Sequence, residues 1–140
     1  MSYRARDFMS RNFVTFAPDM DVLEAVRMIT DFNISGGPVV DNQGSLVGVL
    51  SEIDCVRAVI QASYHESRGG HVREFMRTDF KTVDVDDSIM HVAKLFGEQT
   101  HFYYRGFPVL KHSRVVGRIT LRNVLRAFDT MSQEARKGGR

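Results

Sequence analysis

A chain of 140 residues, 43% of them hydrophobic, is long enough for one compact domain or two very small ones and has an ordinary globular composition. Its 19 basic and 17 acidic residues nearly cancel, which argues against a face-wide basic surface and hence against nucleic acid as the main partner. A single cysteine excludes an intramolecular disulfide, and no apolar run approaches the roughly 18 residues a membrane span needs, so a cytoplasmic protein without a signal peptide is expected.

A short segment, Arg6 to Met9, leads into an extended stretch, Phe13-Val14-Thr15-Phe16. Asp21 then offers an N-cap, with Glu24 three residues later to close a capping box. Val22, Leu23, Ala25, Val26 and Ile29 follow at helical spacing. Pro38-Val39-Val40, the turn Asp41 to Ser45 and the run Leu46 to Leu50 predict a hairpin. A last helix starts at Ser51 and carries Ile53, Val56, Val59 and Ile60; Ser67-Arg68-Gly69-Gly70 marks a flexible joint.

The chain then says nearly the same thing again. Arg73 to Met76 answers the first segment and Phe80-Lys81-Thr82-Val83 the extended stretch. Ser88 caps a helix carrying Ile89, Val92, Ala93 and Phe96. Pro108-Val109-Leu110 and Val115 to Ile119 form a second hairpin across Lys111 to Arg114. A final helix from Thr120 carries Leu121, Val124, Leu125 and Phe128. The second copy has three extra residues before its proline, around His101-Phe102-Tyr103-Tyr104. The expected architecture is α/β (α+β): two β-α-β-β-α repeats at 5–60 and 72–131, a linker at 61–71, and a disordered basic tail at 132–140. A repeat of that size buries too little surface alone, so the two must share a core.

The sharpest local signal is the passage from each second hairpin strand into the last helix: Gly48-Val49-Leu50-Ser51-Glu52-Ile53-Asp54 and Gly117-Arg118-Ile119-Thr120-Leu121-Arg122-Asn123. A strand glycine admits close approach of another group. A hydroxyl among the free N–H groups of a helix start favours an anion, and a carboxylate or amide one turn later can accept from a ligand's hydroxyl pair. The plain alternative is a capping box, although such boxes prefer Glu or Gln at the far end and do not need the glycine.

With the Phe-Met openings and the proline-led runs, this doubled Gly-x-x-(Ser/Thr)-x-x-(Asp/Asn) pattern resembles a pair of cystathionine β-synthase (CBS) domains, a Bateman module, from about Ala5 to Met131. The resemblance implies two units packed through their sheets with pseudo-twofold symmetry, and two clefts for adenosine-containing ligands such as AMP, ADP, ATP, S-adenosylmethionine or NADH. It implies that Asp54 and Asn123 hold ribose hydroxyls and that Ser51 and Thr120 hold phosphate oxygens. Val14-Thr15 and Lys81-Thr82 would border the base, as would Ser35-Gly36-Gly37 and Arg105-Gly106-Phe107. Asn123 lacks the charge of the usual Asp, while Arg105 and Arg118 would favour phosphate in the second cleft. One good site and one poor or empty one are expected, the Asp pointing to the first copy and the arginines to the second.

The five histidines show no metal-ligand spacing, and no Walker or dinucleotide fingerprint is present. Cys55, on the apolar side of its helix, reads as a buried inert thiol. The expectation is a regulatory ligand-sensing module rather than an enzyme, with no required cofactor or metal. It would be a homodimer that signals to an unidentified effector protein. The alternatives are a structural dimerisation module with vestigial clefts, or a single-stranded nucleic-acid binder using the basic tail and the Tyr-rich loop.

Overall fold

The computed structural model describes residues 3–65, 69–98 and 105–138; the aromatic insertion at 101–104 lies outside them. In the first half, a short helix α1 (Ala5–Phe8) is followed by α2 (Val22–Phe32), the strands β1 (Gly36–Val40) and β2 (Leu46–Ser51), and α3 (Glu52–His65). A 3-10 turn (Val72–Glu74), β3 (Val83–Asp84), α4 (Ile89–Glu98), β4 (Gly106–Lys111), β5 (Arg114–Thr120) and α5 (Leu121–Gly138) form the second.

Each hairpin is antiparallel and slips by one residue at a matching place, between Val39 and Val40 and between Val109 and Leu110. The first strand of each predicted unit is much shorter than the sequence implies. In the first copy Phe16 alone bridges in parallel to Val39, and in the second only Val83 and Asp84 pair with β4. Asp21 caps α2 by accepting from Leu23 N–H at 2.9 Å, and Ser88 Oγ accepts from His91 N–H at 3.1 Å. Glu24 makes no return bond among the described residues, so the expected capping box is half formed.

The two cores do not follow the two sequence copies. Val83, Val85, Ile89, Val92, Phe107, Val109 and Ile119 of the second copy cluster with Ala5, Phe8 and Met9 of the first. Phe16, Ala25, Ile29, Val39 and Leu50 of the first cluster with Val72, Phe75 and Met76 of the second. Backbone bonds hold the exchange. Ser10 and Arg118 donate to each other's carbonyls at 2.8 and 2.9 Å, and Arg77 and Val49 do the same at 2.9 Å each. The copies are therefore interlocked, each half completed by the opening segment of the other.

The strand glycines find their reason in this exchange. A Cβ on Gly48 would sit 2.6 Å from Met76 Sδ and 3.0 Å from the Arg77 carbonyl, and one on Gly117 would sit 2.6 Å from Met9 Sδ and 3.0 Å from the Ser10 carbonyl. The close approach predicted at these positions is real, but the group that approaches is the crossing methionine segment.

The last helices add two details, of which the second corrects the reading of the tail. On the last helices the buried side chains are Asp54, Cys55 and Ala58, and Val124 and Ala127, whereas Ile53, Val56, Val59, Ile60, Leu121 and Leu125 are exposed. Residues 132–138 continue α5 instead of forming a disordered tail. The Tyr3 hydroxyl donates to Glu134 there, and Arg136 and Lys137 lie in the last turn, where cations offset the negative end of the helix dipole.

Candidate functional site

The first-copy junction is closed and charged. Ser51 and Asp54 are each 1% exposed. Asp54 Oδ2 accepts from the Ser51 N–H at 3.0 Å and from the Ser51 hydroxyl at 2.8 Å. Asp54 N–H in turn reaches Ser51 Oγ at 3.4 Å, so the pair is a capping box made with Asp. Oδ1 receives two guanidinium groups, Arg57 at 3.0 Å and Arg77 Nε at 3.3 Å. Of the roughly four acceptor directions of a carboxylate, three are taken by hydrogen bonds from Ser51 and Arg57, and the Arg77 guanidinium adds its charge beside Oδ1. Next to it, Cys55 is 5% exposed, and burial first, then the charges of Asp54 and Glu52, push its thiol up to about 11.

The second-copy junction has the same skeleton without the charge. Thr120 N–H donates to Asn123 Oδ1 at 2.8 Å, and Asn123 N–H donates to Thr120 Oγ1 at 3.2 Å. Both side chains are only half-buried, and the Asn123 amide NH2 makes no hydrogen bond among the described residues. Beside this junction opens a cleft of about 1070 Å³. One wall is the corner between α2 and β1, at Asn33, Ile34 and Ser35; the other holds Phe96, Arg105, Arg118 and Thr120. The first two turns of α5 line its floor with Leu121, Arg122, Leu125, Arg126 and Asp129. The Arg118 guanidinium crosses from the second half to Ser35 Oγ of the first at 3.5 Å.

Of the residues the sequence singled out, the structure gathers Ser35, Arg105 and Thr120 in this one cleft. Ser35 and Arg105 stand at matching positions before the two proline-led strands, yet they face the same opening. Gly37 is packed against the Val14 carbonyl and the Phe16 ring, while Gly36 and Gly106 lie against the carbonyls of Leu50 and Ile119. Phe107 is a core residue, its ring centroid 4.5 Å from that of Phe96. Thr15 is exposed and Thr82 half-buried, and Lys81 pairs with Glu98 at 3.7 Å. Arg122, Arg126 and Asp129 were missed. Their four-residue and three-residue spacing was visible, but only the apolar residues of that helix were singled out. Among the described residues no three His, Cys, Asp or Glu side chains gather as metal ligands, and no helix is long and apolar enough to cross a membrane.

Comparison with known proteins follows the same lines. The CBS domain family model matches residues 5–61 and 72–130. The chain is 27% identical over 124 residues to the L-aspartate semialdehyde sulfurtransferase of Methanocaldococcus jannaschii, and 28% identical over 124 residues to that organism's inosine-5'-monophosphate dehydrogenase. Each match covers 88% of this chain but only 23% of the relative, so the chain spans about a quarter of the length of these enzymes. The CBS domain pair of protein MJ0100, in complex with 5'-methylthioadenosine and S-adenosyl-L-methionine, has a TM-score of 0.76 at 26% identity, with 94% of this chain and 99% of that one covered. CBSX2 in complex with AMP gives 0.78 at 26% identity, over 93% and 98% of the two chains. With two interlocked α/β copies and both family matches falling on them, this chain belongs to the CBS domain family as a tandem pair.

Proposed function

We propose that the protein is a regulatory, non-catalytic binding module whose second-half cleft takes an adenosine-containing ligand and passes its occupancy to a partner protein or to an oligomeric state. The observation that carries this reading is the double origin of the cleft walls, Ile34 and Ser35 from one half and Arg118 and Thr120 from the other. A ligand there touches both halves, so it can favour one of their relative arrangements over another. Ile34, Phe96 and Leu121 offer an apolar seat for a base, and the guanidinium groups offer a seat for phosphate. The adenosyl ligands of the similar CBS pairs support the choice of ligand class. The first-copy junction, its carboxylate already engaged, is the poor site of the two.

The test is thermal unfolding with AMP, ADP, ATP, S-adenosylmethionine and NADH. A ligand at about one hundred times its Kd adds roughly 2.7 kcal/mol of stability. At least one of the five should do so, and Arg118→Ala should abolish the shift. Absence of any shift overturns the reading.

One observation favours the structural alternative. Ile53, Val56, Ile60 and Tyr64 form an exposed apolar stripe along α3, with Tyr64 82% exposed, and a second copy of the chain is the proposed cover. Sedimentation of Val56→Lys against the parent checks it: a dimer that falls to monomer supports the face. A ligand-blind protein that still dimerises would leave only the structural role.

A further inference from the structure

The chain as a whole is nearly neutral, with a formal net charge of +2, yet its cleft is not. Arg105, Arg118, Arg122 and Arg126 line it against one carboxylate, Asp129. Arg105, Arg122 and Arg126 make no ion pair among the described residues. Outside the cleft the arginines are mixed: Arg6 pairs with Asp86, Arg73 with Asp19, and Arg57 and Arg77 share Asp54, while Arg11, Arg27 and Arg114 make no ion pair among the described residues.

From this we infer that the cleft selects a ligand with a chain of linked phosphates, a nucleoside di- or triphosphate, over a nucleoside monophosphate or a cationic adenosyl sulfonium. The inference rests on the adenosine reading above and refines it. Arg122 and Arg126 are one helical turn apart on α5, about 6 Å along its axis at 1.5 Å per residue. Arg118 enters from β5 and Arg105 from the start of β4. A phosphate chain can meet these cations in succession, whereas a single phosphate engages only those guanidinium groups that converge on one point. Guanidinium is the side chain suited to this, because its planar fork binds two phosphate oxygens at once. A sulfonium with an amino group brings positive charge into a cleft that already has a surplus. Ile34 and Phe96, one on each wall, offer the base an apolar contact.

Isothermal titration of the full chain in chelator, with ATP, ADP, AMP, S-adenosylmethionine, GTP and inorganic triphosphate, separates the possibilities. ATP should bind about tenfold or more tightly than AMP, a margin of about 1.4 kcal/mol, and S-adenosylmethionine should be weaker still. AMP or S-adenosylmethionine binding as tightly as ATP overturns the phosphate-chain inference and leaves the adenosine reading standing. GTP or bare triphosphate binding as tightly as ATP does the reverse, and binding of none of them overturns both. The double variant Arg122→Gln/Arg126→Gln, at exposed helix positions, should keep the fold and lose most of the ATP-over-AMP margin. If that margin survives, the two α5 arginines are not what selects the ligand.

Discussion

Arg77, three residues past the turn that opens the second copy, places its Nε 3.3 Å from the carboxylate of Asp54 in the first. The residue that the family resemblance implies as a ribose ligand is thus engaged from across the repeat boundary. Without Asp54 the buried Ser51 N–H and hydroxyl lose their acceptor, at about 1–3 kcal/mol, while the more exposed Arg57 and Arg77 can turn to solvent. Asp54→Ala should therefore lower unfolding free energy in urea by about that much while leaving nucleotide affinity within about twofold. Affinity that collapses with stability intact would place the ligand on Asp54 after all.

The crossing methionines make a second prediction. Gly48→Ala should destabilise by about 2 kcal/mol, the usual range for overpacking a filled core. The Met76 thioether can move aside, but the Arg77 carbonyl at 3.0 Å cannot. Met76→Ala in the same chain should then relieve part of the penalty, measured as a coupling energy in a double-mutant cycle. Strict additivity would mean the two groups do not meet.

Because the opening segments are exchanged, a half cut at the sequence repeat should fold poorly. A fragment of residues 1–66 keeps α1, which belongs against β5 and α5, and lacks Val72, Phe75 and Met76 from its own core. Residues 11–79 should show the more cooperative thermal transition by circular dichroism. Equal transitions for the two fragments would argue that the exchange contributes little.

Cys55 offers a pH test. With its thiol held near 11 in the folded protein against an ordinary value of 9.0, the native state keeps its proton while the unfolded chain loses it. Its contribution is complete below about pH 9 and is lost as pH rises towards 11, on the order of 2 kcal/mol. Cys55→Ala should flatten that part of the stability curve relative to the parent. At neutral pH the thiol should react with a disulfide reagent only as fast as the protein opens.

Repetition made most of the architecture legible: two hairpins, four long helices and their caps all fall near the expected positions. What pattern could not reveal was which half each segment joins, since Phe8-Met9 and Phe75-Met76 have the same local character wherever they pack. The surroundings of the site were illegible for a related reason. Gly48 and Gly117 were correctly read as places of close approach, but nothing local said that the visitor was a methionine. Leu121 and Leu125 have core-like chemistry and helical spacing, and only the position of α5 beside an open cleft turns them outward. Ser35 and Arg105 were assigned to separate clefts because sequence symmetry treats them as counterparts, while the fold brings both to one opening.

The interlocking of the copies also orders events in time. Ser10 leaves the ribosome about a hundred residues ahead of its bridge partner Arg118. Until β5 has been made, α1 has no surface to rest on, and the first hairpin waits in the same way for Arg77. Contacts this distant in sequence form slowly, because a long loop must close before they give any return. The newly made chain should therefore pass through a prolonged stage with an exposed, protease-sensitive start. It should then lock both halves in a late concerted step, rather than fold one repeat and then the other.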